Sequence, residues 1–277
     1  MYDISLHLAV EARLDFIDSF ADVPVALYAR IIDHHSVALR SAGFRSGHLW
    51  CADKRWITDS DKVTALTTLA QGAGFHLSAC LDPTDVSGPF LAASAGFDGV
   101  VLSPIHAGFG TADIMGTTAW KAFCHNLGEV ALPVFMTTAY GTENLYRYDS
   151  LMVLAGLLAE QVGAAPVVAL HGGGHRFVEL VLLAEAFPNL MIDLSFSLLY
   201  YRESNVETDW IWGMKRLGET RFVFGSDEPF ASRVDSLDLF KDLMQAAGWS
   251  PAAQELALCE NAKRVFSQRP LKVGREL

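Results

Sequence analysis

The chain is short of charge, short of cysteine and without any long unbroken apolar run, and each shortage removes a class of protein. Charged residues are 19% of the 277 positions while apolar ones are 51%, which suits a chain that buries a large core and not a disordered segment. Positive charge is the scarcer sign, with 21 Lys and Arg against 32 Asp and Glu and a formal net charge of −11. With no basic cluster, such a surface repels phosphate backbones, so nucleic acid is excluded as a partner. Cys51, Cys80, Cys124 and Cys259 stand singly; without a Cys-x-x-Cys pair they read as reduced thiols of a cytoplasmic protein. The most apolar stretch, Leu151 to Leu170, is broken by Glu160, Gln161 and Pro166, so no membrane span is expected. No basic, cleavable leader is read at the start.

What is present is an alternation of short β-rich and longer helical segments, without repeats or linkers. Strands are expected at Tyr2–Leu8, Phe44–Ala52, His76–Leu81, Gly99–Pro104, Pro133–Thr138, Pro166–Leu170, Leu190–Leu194 and Arg221–Gly225. Helices are expected at Pro24–Ala42, Asp61–Gly72, Phe90–Ala95, Thr117–Val130, Tyr148–Val162, Phe177–Phe187 and Glu207–Leu217, with Ser236–Ala247 and Pro251–Phe266 closing the chain. Several strands are near-continuous apolar runs, as parallel strands covered on both faces require. Eight such units predict an α/β fold, a (β/α)8 barrel forming one domain over residues 1–277 with C-terminal helices. An open doubly wound sheet is the alternative, but no Gly-x-Gly-x-x-Gly follows the first strand.

In a barrel of this kind catalytic groups sit at the carboxyl ends of the strands. Asp3, Ser5 and His7 alternate along strand one, which predicts that they share one side. Strand five ends at Thr137, with Tyr140 beyond it; strand six ends in His171, three glycines and His175; strand eight runs into Asp227. Taken alone, His7 also suits a structural core histidine, Asp193 a tie between strands, and the glycines either a tight turn or an anion cradle. Asp227 directly follows an apolar run, where an unpaired carboxylate is costly. His7, His171 and Asp227 would thus meet on one rim.

These segments resemble the amidohydrolase superfamily, in its amidohydrolase-related branch: DISLH at 3–7, LPVF at 132–135, VALHGGG at 168–174, FPNLMID at 187–193, RFVFGSDEPF at 221–230 and ENAKRVF at 260–266. The resemblance spans nearly the whole chain and implies a TIM barrel carrying metal-dependent hydrolases or aromatic-acid decarboxylases. It also implies a ligand pair Asp-x-His-x-His on strand one and a histidine on strand five. Here Ser5 replaces the first histidine, and Thr137 or Thr138 stands in strand five. Hydroxyls are poor replacements for imidazole at a borderline ion.

The expectation is therefore an amidohydrolase-like enzyme without a metal cofactor. Asp227 is the expected base, His171 the polarising group and His7 their companion, with Ser5, Arg55, His106, Thr137, Tyr140, His175 and Arg202 binding a small, carboxylated substrate. The reaction is hydrolysis of a lactone or amide-type bond, or a lyase or isomerase step. The alternative keeps one Zn2+ or Mn2+ on His7, His171 and Asp227, and a third reading is an inactive binding homologue. A homo-oligomer is compatible with all three.

Overall fold

The computed structural model describes residues 1–8, 24–50, 60–104, 109–138 and 151–267. Eight parallel strands follow one another in sequence order: β1 (Tyr2–His7), β2 (Ser46–Trp50), β3 (Phe75–Cys80), β4 (Gly99–Leu102), β5 (Val134–Thr137), β6 (Val167–Leu170), β7 (Leu190–Asp193) and β8 (Phe222–Val223). The ends join through the backbone, Ile4 N–H donating to Phe224 O at 2.9 Å and His7 N–H to Glu228 O at 3.0 Å. The sheet is thus a (β/α)8 barrel. Between the strands run α1 (Val25–Ser41), α2 (Ser60–Gly72), α3 (Gly88–Ser94), α4 (Thr118–Val130), α5 (Leu151–Gln161), α6 (Phe177–Ala186), α7 (Val206–Leu217) and α8 (Arg233–Ala246). The chain then continues through α9 (Pro251–Glu255), a π turn at Leu256–Glu260 and α10 (Asn261–Ser267). No helix among the described residues is long and apolar enough to cross a membrane.

Alternate strand residues feed two apolar layers, as the two-residue period of a strand demands. Leu49, Leu77, Val100, Met136, Ala169, Ile192 and Phe224 pack outward against the helices. Tyr2, Ile4, Val101, Phe135, Val168 and Val223 fill the barrel, and Ala262, Val265 and Phe266 of α10 pack into the same cluster. Polar atoms enter this interior only when paired. His48 bridges Ile4 O at 2.7 Å and Ser78 Oγ at 2.8 Å, and burial pushes its pKa down to about 3, so it is a neutral structural histidine. With the barrel filled from one end, a site is left to the other, where the strands terminate.

Helix ends are set by local chemistry. The hydroxyl of Thr117 accepts from Trp120 N at 3.1 Å to open α4, and Ser250 accepts from Ala253 N at 3.2 Å to open α9; such caps satisfy otherwise orphaned N–H groups. Strands and helices lie where the sequence places them, their boundaries moving by a turn or less. The final helix is the exception in detail, since the π turn interrupts what the apolar spacing reads as one continuous helix.

One local expectation is corrected. Asp3, Ser5 and His7 do not share a side of β1, because its register against β2 slips: Asp3 aligns with Gly47 but Leu6 with Leu49. Ile4 and Ser5 span the irregularity, and Asp3 is turned to a different partner set. Its carboxylate accepts from Ser226 Oγ at 2.7 Å, Ser226 N at 2.9 Å and Arg233 Nε at 3.1 Å. Arg233 also holds the Glu228 carboxylate, so one guanidinium ties β1 to residues on both sides of Asp227. Removing one partner of a buried pair leaves the other charge uncompensated. Arg233→Leu is expected to cost about 3–5 kcal/mol of stability, read as a lower urea midpoint with unchanged slope; a midpoint within error of the parent would contradict the role given to this pair.

Candidate active site

The carboxyl ends of β1, β6, β7 and β8 converge on Asp227. His7 is the last residue of β1, His171 follows β6 directly, and Asp227 lies just beyond β8. Their exposures are 3%, 5% and 3%. Asp227 Oδ1 receives the hydrogen bonds: His7 Nε2 lies 3.1 Å away and Ser5 Oγ donates at 3.3 Å. His171 Nδ1 stands 3.7 Å from the same oxygen. Burial alone would raise the Asp227 pKa, but the electrostatic pull of the His171 and His7 imidazoles and the hydrogen bonds from His7 and Ser5 hold it below the ordinary carboxylate value. An ionised carboxylate can only accept, which places a proton on His7 Nε2. The hydrogen bonds from described residues go to Oδ1, so Oδ2 is the oxygen that can take a proton from a ligand or water.

The backbone at this site is under tension. Asp227 has φ +68° and His171 φ +68°, a left-handed conformation that side chains other than glycine rarely adopt. Asp227 is held there by its N–H, which donates to Ser5 O at 2.8 Å, and by its carbonyl, which accepts from Phe230 N at 2.8 Å. His7 is fixed between the Trp50 ring at 4.1 Å and the edge of Phe230 at 4.7 Å. The glycine turn after His171 is left-handed throughout, with φ +59°, +70° and +56° at Gly172, Gly173 and Gly174. A Cβ on Gly172 would stand 2.5 Å from Leu194 Cδ2, and Gly173 N–H donates to Thr138 Oγ1 at 2.8 Å. These glycines therefore make a tight turn, with at least one of their N–H groups already bonded, rather than an open anion cradle.

His171 has its own cradle, which the sequence did not reveal. Its Nδ1 lies 3.1 Å from Ser195 O, its backbone N–H donates to Asp193 Oδ2 at 3.4 Å, and its carbonyl accepts from Ser197 Oγ at 2.7 Å. A carbonyl oxygen can only accept, so the proton sits on Nδ1 and the lone pair on Nε2. Burial lowers the His171 pKa despite the opposing pull of Asp227, so the ring is neutral near pH 7. This bears on the expected polarising role: a neutral ring with its N–H committed to Ser195 offers an acceptor at Nε2, not a donor. Asp193, at the end of β7, accepts from Ser195 N at 3.0 Å and from the Ser195 hydroxyl. Burial pushes the Asp193 carboxyl up to about 7 against those hydrogen bonds. The signal that could have found this pair is an Asp-x-Ser at a strand end, read together with the histidine ending the neighbouring strand.

The remaining expected residues are distributed differently. Ser5 joins the Asp227 cluster. Thr137 donates to Ser103 Oγ at 3.0 Å on the adjoining strand end. His175 and Arg202 are both exposed, and no hydrogen bond or ion pair among the described residues draws either to Asp227. Arg55, His106 and Tyr140 lie outside the described residues.

A divalent ion held by three protein ligands at about 2.0–2.2 Å needs three donor atoms around one point. Among the described residues, the group that brings three ligand atoms within 4.8 Å of one another is Glu255, Cys259 and Glu260 on the last helical stretch, not His7, His171 and Asp227. Asp227 lies between the two rings, and the His171 Nδ1–H is directed to Ser195 O. As arranged, the three residues do not fit a three-ligand ion.

Comparison with known proteins agrees with the barrel. A family model described as Amidohydrolase matches residues 29–268, and no curated protein sequence matches the chain. The structure of an uncharacterized TIM-barrel protein from Bordetella bronchiseptica superposes with a TM-score of 0.69 at 18% identity, covering 97% of this chain and 99% of that one. An amidohydrolase from Burkholderia multivorans with bound zinc gives 0.67 at 15% identity, covering 97% and 99%. A dihydroxybenzoic acid decarboxylase from Polaromonas sp. JS666, with bound manganese and the inhibitor 2-nitroresorcinol, gives 0.53 at 18%, covering 96% and 97%. At these identities the likeness shows the fold alone. The family model spans most of the chain, and on that match, joined to the barrel and its strand-end residues, the protein belongs to the amidohydrolase family.

Proposed function

We propose that the protein is an enzyme that performs acid/base chemistry on a small molecule at the carboxyl end of the barrel, with Asp227 as the proton acceptor. The observation that carries this reading is a buried carboxylate with its hydrogen bonds on Oδ1, from His7 and Ser5. A base is useful when it is ionised, fixed and still has one oxygen to offer. His7 Nε2–H and Ser5 Oγ–H hold the negative charge in place, and Oδ2 takes the proton of a bound water or of the substrate. His171 adds a second acceptor through Nε2, suited to orienting an O–H group; it donates only after it gains a proton.

The reactions that need no more than these groups are hydrolysis of a lactone or amide-type bond and lyase or isomerase steps. In hydrolysis, Asp227 removes a proton from water as the water oxygen bonds to the carbonyl carbon. The bond to the leaving oxygen or nitrogen then breaks, and protonated Asp227 returns its proton to that atom, so protons and charge balance without a co-reactant. Arg202, exposed in the turn after Tyr200, is a candidate to meet a carboxylate on the substrate.

A second reading is favoured by the zinc of the Burkholderia multivorans amidohydrolase and the manganese of the Polaromonas decarboxylase: one divalent ion on His7, His171 and Asp227. The donor geometry above argues against it. Elemental analysis of protein purified without chelators decides between the two. The metal-free reading expects well under one ion per chain and turnover that survives prolonged chelation; stoichiometric zinc or manganese, lost together with activity, would establish the second reading.

Asp227→Asn preserves shape and removes the base. Against a panel of lactones, cyclic amides and carboxylic acids, kcat/KM is expected to fall about 10²–10⁴-fold with the circular dichroism spectrum unchanged. Retained turnover in that variant would sink the proposal.

A further inference from the structure

Four contacts made by the end of β7 and the turn after it fall on one residue, His171. Asp193 Oδ2 accepts from the backbone N–H of His171, Ser195 O accepts from its Nδ1, and Ser197 Oγ donates to its carbonyl. Phe196, itself at φ +59°, sets its ring edge-on to the imidazole at 5.9 Å. The turn is in turn organised by Asp193, which takes both the N–H and the hydroxyl of Ser195. Gly225, just past the neighbouring β8, makes room for this carboxylate: a Cβ there would stand 2.5 Å from Asp193 Oδ1 and 2.9 Å from Ser5 Cβ. Asp193 and Ser195 are both fully buried, so these bonds do not compete with bulk water and keep their full directional value.

From this geometry we infer that Asp193 is a positioning residue: by shaping the β7 turn it holds the Ser195 carbonyl against His171 and so fixes the imidazole with its proton on Nδ1 and its lone pair on Nε2. The alternative tautomer would set the Nδ1 lone pair against a lone pair of the Ser195 carbonyl, a repulsive contact that the proton on Nδ1 removes. A neutral imidazole free to exchange tautomers spends part of its time presenting N–H where an acceptor is needed; the β7 turn removes that loss. Ser195 Oγ lies 3.2 Å from Nδ1, but its shorter contact is with Asp193 Oδ2. The inference rests on the acid/base reading for its purpose, because only there does the side of the ring that carries the proton matter.

The test needs no substrate. Full-length protein labelled with 15N gives long-range proton–nitrogen correlations for each imidazole, and the His171 signals are those lost in His171→Gln. The wild-type ring is expected to show a protonated-type Nδ1 and an unprotonated-type Nε2 at neutral pH. Asp193→Asn, which keeps an acceptor for Ser195 N, is expected to retain that pattern, whereas Asp193→Ala is expected to lose it as a second tautomer appears. If Asp193→Ala does not fold, Ser195→Ala deletes the hydroxyl bond to Asp193 while keeping the carbonyl, and is expected to show the second tautomer as a smaller fraction. A merely structural Asp193 would lower the thermal midpoint and leave the His171 pattern untouched, which overturns the inference; so does a wild-type ring protonated on Nε2. Because no turnover is read, the expected pattern alongside a fully active Asp227→Asn would retain this inference and remove only the assigned base.

Discussion

A carboxylate placed at the mouth of an apolar barrel stays ionised only if donors are aimed at it, and the rest of this site is organised around that requirement for Asp227. Burial works against the charge. His7 Nε2 and Ser5 Oγ answer it from one strand at 3.1 Å and 3.3 Å. The backbone answers it as well, since Asp227 keeps its left-handed conformation through bonds from its own N–H to Ser5 and from Phe230 to its carbonyl. β1 thus supplies two side chains and one carbonyl to a residue more than two hundred positions away, and the barrel closure that brings them together belongs to the site as much as to the fold.

Two supports flank this centre and do not overlap. On the outer side of β1, the buried Asp3, Ser226 and Arg233 join the half-buried Glu228 in a charged network that grips the residues before and after Asp227. On the β7 side, Asp193, Ser195 and Ser197 hold His171. The first support fixes where the carboxylate stands, and the second fixes which face of an imidazole carries a proton. Ser5 occupies the position where the resemblance implies a ligand histidine, and its hydroxyl donates to Asp227 instead. With serine at this position β1 offers the carboxylate a hydroxyl donor, which favours its ionised form.

Much of this was legible in the amino-acid order. Pro166–Leu170 reads as a strand because a parallel strand covered on both faces has no polar side to show, and Phe177–Phe187 reads as a helix from apolar residues that stop at Pro188. His7, His171 and Asp227 were legible because each ends a strand and a parallel barrel gathers those ends. What stayed hidden depends on single backbone angles or on distant partners. The register slip within β1 turned Asp3 away from Ser5 and His7. The π turn at Leu256–Glu260 is a single turn, too short to disturb the apolar spacing of the helix around it. Arg233 is an unremarkable helix residue until its partner is found 230 positions earlier at Asp3. Whether the His171 ring donates or accepts is not written in the sequence, because both forms are the same residue; the Ser195 carbonyl beside Nδ1 separates them.

Every role given to this site requires Asp227 to be an ionised acceptor at working pH. That ionisation is tested most directly by 13C NMR of labelled aspartate carboxyls, with the Asp227 signal identified by its loss in Asp227→Asn. The account predicts a carboxylate-type shift that does not move as the sample is taken from about pH 7 to about pH 5, because the folded-state pKa lies below the ordinary value of about 3.9. A signal that titrates within that interval, or that already has the protonated shift at neutral pH, would contradict it.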